Sequence, residues 1–333
     1  MNLYPAAATV RHLLTSRSTA GYGVHSPFIY DFLTTVVRGK TEPRLLEEVE
    51  SLRREMLASR KRVRVTDLGR GSVVSRGAER KISAIAAAAS LSPGQAALLA
   101  RVARGAVSRI EDSQQKRRHK RSADGDAGPG SYDSITKRWV SDQEVPVAGS
   151  SLTETGQNFL NQGNNTTKGR ANDRSKPDKR KIILELGTSL GISTLALALA
   201  LPEHKIVTVE GCPSLAAIAR ENLQRHGAGN VEVVNAEFSA ALSMLRQEDV
   251  RVSFAFIDGN HRGSALVQYL SDIEKMGEEM IIVAHDIHLS RDMYIAWRSY
   301  LADGKTPAAM ETFRFGILFR LKSITPGCYR IRC

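Results

Sequence analysis

Five short apolar runs, KIILELG, KIVTVEG, VEVVNAE, VSFAFIDG and MIIVAHD, follow one another from Arg180 onward, and each closes on polar residues. Helical segments fall between them, beginning with GISTLALALA and PSLAAIARENLQRHG. Continuous Val/Ile/Leu runs are those of strands buried on both faces, and their alternation with helices builds βαβ units around a parallel sheet. The tail departs from this rule, because METFRFGILFRLK holds two strand-like runs with only Gly316 between them. So short a gap cannot carry a helical crossover. The expected fold is therefore α/β, a mostly parallel sheet closed by a C-terminal antiparallel hairpin.

Two other textures precede this part. Residues 1–105 read as a helical N-terminal region on the lid or substrate side of the molecule. In GYGVHSPFIYDFLTTVV, Ser26-Pro27 suits an N-cap followed by proline in the first turn, with Phe28, Phe32 and Val36 or Val37 as the apolar face. EPRLLEEVESLRREMLASR, ERKISAIAAAAS and SPGQAALLARVARG read as three further helices. From about 106 to 178 the periodicity dissolves. SADGDAGPGSYDS and NQGNNTTKGRANDRSKPDK are polar and glycine-rich, a composition that buries too little apolar surface to offset the entropy of ordering. This stretch is expected to be a disordered or low-complexity insert, leaving 179–333 as the α/β domain.

Composition narrows the setting. With 42% hydrophobic and 25% charged residues over 333 positions, the chain is large enough for a substantial core. No run approaches the roughly 18 uncharged apolar residues of a membrane span. The start, MNLYPAAATVRHLL, has no basic stretch before its apolar residues, so no signal peptide is expected. Cys212, Cys328 and Cys333 form no CxxC pair. That favours a reducing compartment, the cytoplasm, and argues against structural zinc. The net charge of +12 raises nucleic acid as a partner, but the basic residues are scattered. The one dense run, KRRHKR at 116–121, is read as a solvated flexible segment, with RNA binding or targeting as the alternative.

Two stretches have the look of a ligand loop: VTDLGRGSVVS from Val65 and ILELGTSLGIS from Ile183. A nucleotide-cofactor loop needs a following helix whose N-terminus faces the ligand, then a second strand ending in an acid for the ribose hydroxyls. The second stretch meets both conditions, with Glu210 about 20 residues beyond the loop. The first is followed by helices and the polar stretch, so Asp67–Ser72 is read as a turn, with a place at the rim of the active site as the alternative. Gly187 and Gly191 are separated by three residues, which departs from the GxGxxG of dinucleotide sites. Glu237 stands just past the third strand and Asp258 at the end of the fourth. Acids after each of the first four strands, together with the hairpin, over about 140 residues, form the pattern of an S-adenosylmethionine-dependent methyltransferase.

Residues 180–322 resemble class I S-adenosylmethionine-dependent methyltransferases of the O-methyltransferase-like group, through ILELGTSLGIST, VEGCP, FIDGNHR and HDIH. GYGVHSPFIYDFL, TDLGRGS and RKISAIA resemble the N-terminal region of a Bacteroidetes-like bacterial branch of that group. The resemblance implies a Rossmann-like seven-stranded sheet. It also implies that Glu185, Gly187, Thr188, Ser189 and Gly191 hold the methionine and ribose portions. Glu210 would bind the ribose with Gly211 beside it, while Glu237 and Phe238 line the adenine side and Asp258 lies over the reactive end. Glu237 stands where Asp is more usual. His285 precedes Asp286 where paired aspartates are more common, which puts inherited metal chemistry in doubt.

The residues leave the chemistry open among Asp258, His261, His285, Asp286 and His288, at the ends of the fourth and fifth strands. In one alternative Asp258 and Asp286, with His285, hold magnesium and lower the acceptor's pKa. Such an ion prefers carboxylates to imidazole, which disfavours that alternative. In a second, His261 or His288 is a general base without metal. In the third, proximity alone drives the reaction. His25 is read as structural at a helix cap, with a helical lid over the acceptor as the alternative. Cys212 is read as a small residue near the adenosine edge, and Trp297 as helix packing in preference to a substrate platform. The expected function is methyl transfer to a small molecule, at oxygen. The rivals are RNA or protein methylation, a binding protein that has lost catalysis, and an NAD-dependent oxidoreductase. The oligomeric state has no signal in the sequence.

Overall fold

The computed structural model describes residues 4–18, 21, 23–66, 79–123, 181–304, 306–322 and 324–332. The N-terminal part comprises α1 (Tyr4–Thr15), β1 (Arg17–Ser18), α2 (Pro27–Val37) and α3 (Pro43–Ala58). An antiparallel pair follows, β2 (Arg62–Arg64) with β3 (Glu79–Lys81), and then α4 (Ile82–Ala89) and α5 (Pro93–Ala123). The α/β part comprises β4 (Lys181–Leu186), α6 (Ile192–Ala200), β5 (Ile206–Glu210), α7 (Pro213–Arg225), β6 (Val231–Asn235) and α8 (Phe238–Gln247). It continues through β7 (Arg251–Ile257), α9 (Gly263–Glu274), β8 (Met280–His285), α10 (Arg291–Ala302), β9 (Ala308–Glu311), β10 (Phe315–Arg320) and β11 (Gly327–Arg332).

Local signals start the helices. The Ser26 hydroxyl accepts from the Ile29 N–H at 3.4 Å, with Pro27 in the first turn of α2. At α5, Ser92 Oγ accepts from the Gln95 N–H at 3.3 Å while Gln95 Oε1 accepts from the Ser92 N–H at 2.8 Å. Such a reciprocal box satisfies two N–H groups that a helix start otherwise leaves open. The second half of α2, Phe32–Val37, is wound as a π-helix.

The large sheet runs β1-β11-β9-β10-β8-β7-β4-β5-β6. β6, β5, β4, β7 and β8 are mutually parallel, and β10 lies antiparallel to both β8 and β9. The expected seven strands are β9 through β6 in that order, and two more lie beyond them. β11 pairs parallel with β9, and β1 pairs with Ile331 and Arg332. GCYRIR is too short and charged to read as a strand alone, yet its alternation buries Tyr329 and Ile331.

The hairpin turns elsewhere than expected. Its loop is Thr312–Arg314, and Gly316 lies inside β10, opposite Glu311 and Ala284. A Cβ at Gly316 would come within 2.6 Å of the Trp297 ring. Trp297 is wholly buried there and donates from Nε1 to Glu311 at 2.9 Å, so it packs the fold as expected.

Alternation along the strands makes two core layers. Ile183, Phe254, Phe256, Ile281, Val283 and Phe319 face α2, α3, α5, α6 and α7, while Ile182, Leu184, Leu186, Ala255 and Ile282 face α8, α9 and α10. Wholly buried rings such as Phe32, Phe254 and Phe256 each contribute about 1.5–3 kcal/mol. The N-terminal helices are thus one wall of the core. They are held there because the strands bury large side chains on both faces. Helix α5 also corrects the boundary near 106. It continues to Ala123, burying Ala106, Val107 and Ile110, and carries the KRRHKR run. Residues 124–178 lie outside the described residues. Among the described residues no single helix is long and apolar enough to cross a membrane.

Candidate active site

Sheet order places β5 on one side of β4 and β7 on the other. In an open parallel sheet such a switch point leaves a crevice at the carboxyl ends of the strands. The loop after β4 forms its floor. Gly187 has φ +108°, and a Cβ there would lie 2.2 Å from the Asp258 carbonyl oxygen. Only glycine allows the two strand ends to meet so closely. Ser189 is left-handed at φ +50°, and its N–H donates to Glu210 Oε2 at 2.8 Å. Gly191 then occupies the N-cap of α6.

Beneath the loop lies a buried polar chain. Thr194 Oγ1 and Thr208 Oγ1 both donate to Glu185 Oε2, at 2.5 and 2.6 Å. Thr188 donates in turn to Thr208 at 2.6 Å. Glu185 is wholly buried, and its Oε1 has no partner. Burial pushes its carboxyl up to about 7, although the hydroxyls resist the shift.

Glu210 closes β5. Besides Ser189, its carboxylate accepts from the Cys212 N–H at 2.9 Å. Its backbone carbonyl accepts from Asn235 Nδ2 at 2.6 Å. Gly211 lies between Glu210 and buried Cys212, whose Sγ accepts from the Thr66 N–H at 3.4 Å. Asp67–Ser72 lies outside the described residues, and Thr66 marks where the chain reaches this edge. Glu237 is exposed and caps α8, accepting from the Ala240 N–H at 3.0 Å. Phe238 packs edge-on to Tyr269, with ring centroids 5.6 Å apart, and would meet any Cβ added at Gly259.

The histidines separate. His285 Nδ1 donates to Asp258 Oδ1 at 2.8 Å. Its Nε2 is buried without a hydrogen-bond partner, 3.7 Å from Asp286 Oδ1. Burial works against the charged imidazole, but Asp258 and then Asp286 outweigh it and raise the His285 pKa. Burial likewise opposes the Asp258 carboxylate, and His285 more than compensates, lowering its pKa. Arg314, from the hairpin loop, donates to Asp286 Oδ1 at 2.7 Å. Asp286 is left-handed at φ +54°, with its N–H on the Arg314 carbonyl at 2.7 Å.

His261 is more open and lies 3.9 Å from Asp258 Oδ1. His288 has left the group. It stacks on Tyr294 and Phe313 and meets His12 edge-on. Burial lowers its pKa to about 4, an unfit value for a base at neutral pH. His25 is exposed beside the Ser26 cap.

The magnesium alternative does not fit these residues. Asp258 is engaged by His285 and Asp286 by Arg314, and no three His, Cys, Asp or Glu side chains among the described residues converge to hold a metal ion. The sequence reading missed Arg314, Asn235 and the Thr194–Thr208 pair. Thr208 and Thr194 carried a weak signal, being hydroxyls inside otherwise apolar runs.

The sequence from Leu184 to Ile287 matches the family of the methyltransferase domain. The residues matched are 184–287, less than a third of the chain. They span the strand ends that bear Glu185, Glu210, Asp258 and His285, and the sheet around them is Rossmann-like with a terminal antiparallel hairpin. No curated protein matches the chain. Among solved structures, cofactor-bound Rv0187 from MTB is 26% identical, over 42% of this chain and 72% of that one, with a TM-score of 0.36. The O-methyltransferase from Bacillus cereus in complex with SAH is 23% identical, over 42% and 74%, with a TM-score of 0.35. The O-methyltransferase TomG from Streptomyces achromogenes in complex with SAM is 22% identical, over 44% and 73%, with a TM-score of 0.37.

Proposed function

We propose that the crevice binds S-adenosylmethionine and that the protein transfers its methyl group to a hydroxyl of a small molecule, with His285 taking the hydroxyl proton. The observation that carries this reading is the arrangement at the switch point. Glu210 grips the glycine loop on one side of β4, and the Asp258–His285 pair stands on the other.

The residues suit the donor. The Ser189 and Cys212 N–H groups hold the Glu210 carboxylate at the end of β5, and a carboxylate at that strand end is an acceptor suited to ribose hydroxyls. Phe238 and Glu237 flank the next strand end, where a base would lie. When bound, S-adenosylmethionine supplies an electrophilic methyl group on a sulfonium. The chain supplies alignment and a proton acceptor.

Asp258 fixes the imidazole of His285 with its hydrogen on Nδ1, which leaves Nε2 to accept a proton. As Nε2 gains that proton, Asp258 and Asp286 stabilise the cation. Arg314 keeps Asp286 in its left-handed conformation. The small-molecule reading is favoured by where the dense basic run lies. Arg117 pairs with Glu279 just before β8 begins, so the run is at the opposite end of the strands from the crevice.

Calorimetric titration with S-adenosylmethionine and with NAD tests the reading. Binding of the first is expected, and binding of NAD alone would overturn it. A screen of cell metabolites with methyl-labelled donor then identifies the acceptor.

A further inference from the structure

Among the described residues, Glu185 lies beneath the crevice in surroundings mismatched to its charge. It is wholly buried at the ligand end of β4, with one oxygen held by two hydroxyls and the other without a partner. A buried carboxylate with an unmatched oxygen is costly in its charged form unless a cation approaches it, and otherwise it holds a proton. Hydroxyls and one carboxylate face it among the described residues. Helix α6 presents the Ser193 and Thr194 hydroxyls and β5 presents Thr208, while Asp258 at the end of β7 is a charged neighbour among the described residues. Asp258 carries the same sign and makes ionisation harder. Through Thr208 and Thr188 the carboxylate is joined to the glycine loop itself.

We propose that Glu185 is the counter-charge that distinguishes the sulfonium donor from the uncharged thioether product: it releases its proton when the cation binds and keeps it when the thioether binds. This rests on the S-adenosylmethionine reading. The two ligands differ by one methyl group and one positive charge. A group able to match its charge to the ligand favours the donor and lets the product leave. Burial holds the empty-site carboxyl near neutral pH, at about 7, so the exchange falls in an accessible range.

The test is calorimetry of the whole chain with S-adenosylmethionine and with S-adenosylhomocysteine, at pH 6 to 8, in buffers of different ionisation enthalpy. The donor is expected to release close to one proton at the acid end, and its affinity to fall about tenfold per pH unit below about pH 7. The thioether is expected to release almost none and to bind with little pH dependence. Glu185→Gln keeps an acceptor for both threonines and should abolish the donor's pH slope. Any release that survives in this variant belongs to another group, His285 being nearest to Asp258. Equal proton release by both ligands in the wild type, or an unchanged slope in Glu185→Gln, would overturn the proposal alone. Failure of both ligands to bind the wild type would overturn the function reading together with it.

Discussion

Asp258 and His285 are consecutive strand ends: Ile257 pairs with Ala284 in the parallel register of β7 and β8, and the next residue on each strand completes a 2.8 Å hydrogen bond. Sheet register, and not loop conformation, sets that distance. A pair fixed in this way costs little reorganisation when the proton moves.

The pair sets a pH profile. Asp258 raises the His285 pKa above its ordinary 6.5 despite burial, and a base must be neutral to act. Turnover should therefore rise with pH through a value above 6.5 and then level off. Asp258→Asn should move the rise to lower pH and cut turnover by about 10²–10⁴-fold. An identical profile in that variant would remove His285 from the role of base.

Glu210→Ala removes the acceptor for the Ser189 and Cys212 N–H groups at 2.8 and 2.9 Å. Affinity for S-adenosylmethionine should weaken by about 1–3 kcal/mol, the usual cost of losing a charged hydrogen-bond partner. Titration calorimetry measures it directly. Unchanged affinity would mean that another residue holds the ribose.

His288 makes stability sensitive to acid. Its folded pKa of about 4 lies below its ordinary 6.5, owing to burial in the aromatic stack, so its contribution is complete above 6.5 and is lost as pH falls towards 4. His12, also lowered by burial, acts in the same direction. Glu185 opposes them. Its raised pKa means that its contribution is complete below its ordinary 4.5 and is lost as pH rises through about 7. The informative quantity is therefore the difference between wild type and His288→Phe in denaturant melts from pH 7 to 5. That difference should change by up to about 1.4 kcal/mol per pH unit. A constant difference would show that His288 is not buried as a neutral ring.

Gly316→Ala places a methyl group 2.6 Å from the Trp297 ring. Overpacking of this kind costs about 1–3 kcal/mol. Thermal melts should show the loss while affinity for S-adenosylmethionine stays unchanged, because Gly316 lies inside β10 and not in the crevice. Wild-type stability would mean that the indole can shift.

Much of the architecture is legible in the chain. The apolar runs from Ile182 onward became parallel strands, the Ser26-Pro27 and Ser92-Pro93 starts became capped helices, and METFRFGILFRLK became a hairpin. Three features were not legible. GCYRIR pairs between β1 and β9 because those strands offer it open backbone, a fact external to the segment. The end of α5 carries charged residues that read as solvated, yet its Arg117 finds Glu279, 162 residues away. Gly316 read as a turn because close packing against a distant tryptophan leaves no local mark.

The sequence by itself determined which of the two glycine loops has the strand–turn–helix–strand order of a nucleotide-cofactor loop, through Glu185, Gly187, Gly191 and Glu210. It also determined which polar residues collect at the strand ends, because each apolar run stops where they begin. Only the tertiary structure decided their surroundings. His285 and His288 are three residues apart and equivalent as letters. One is oriented by a carboxylate on the neighbouring strand and the other is buried among aromatic rings. A side chain's proton affinity depends on the charges and burial around it, and those come from segments far away in the chain.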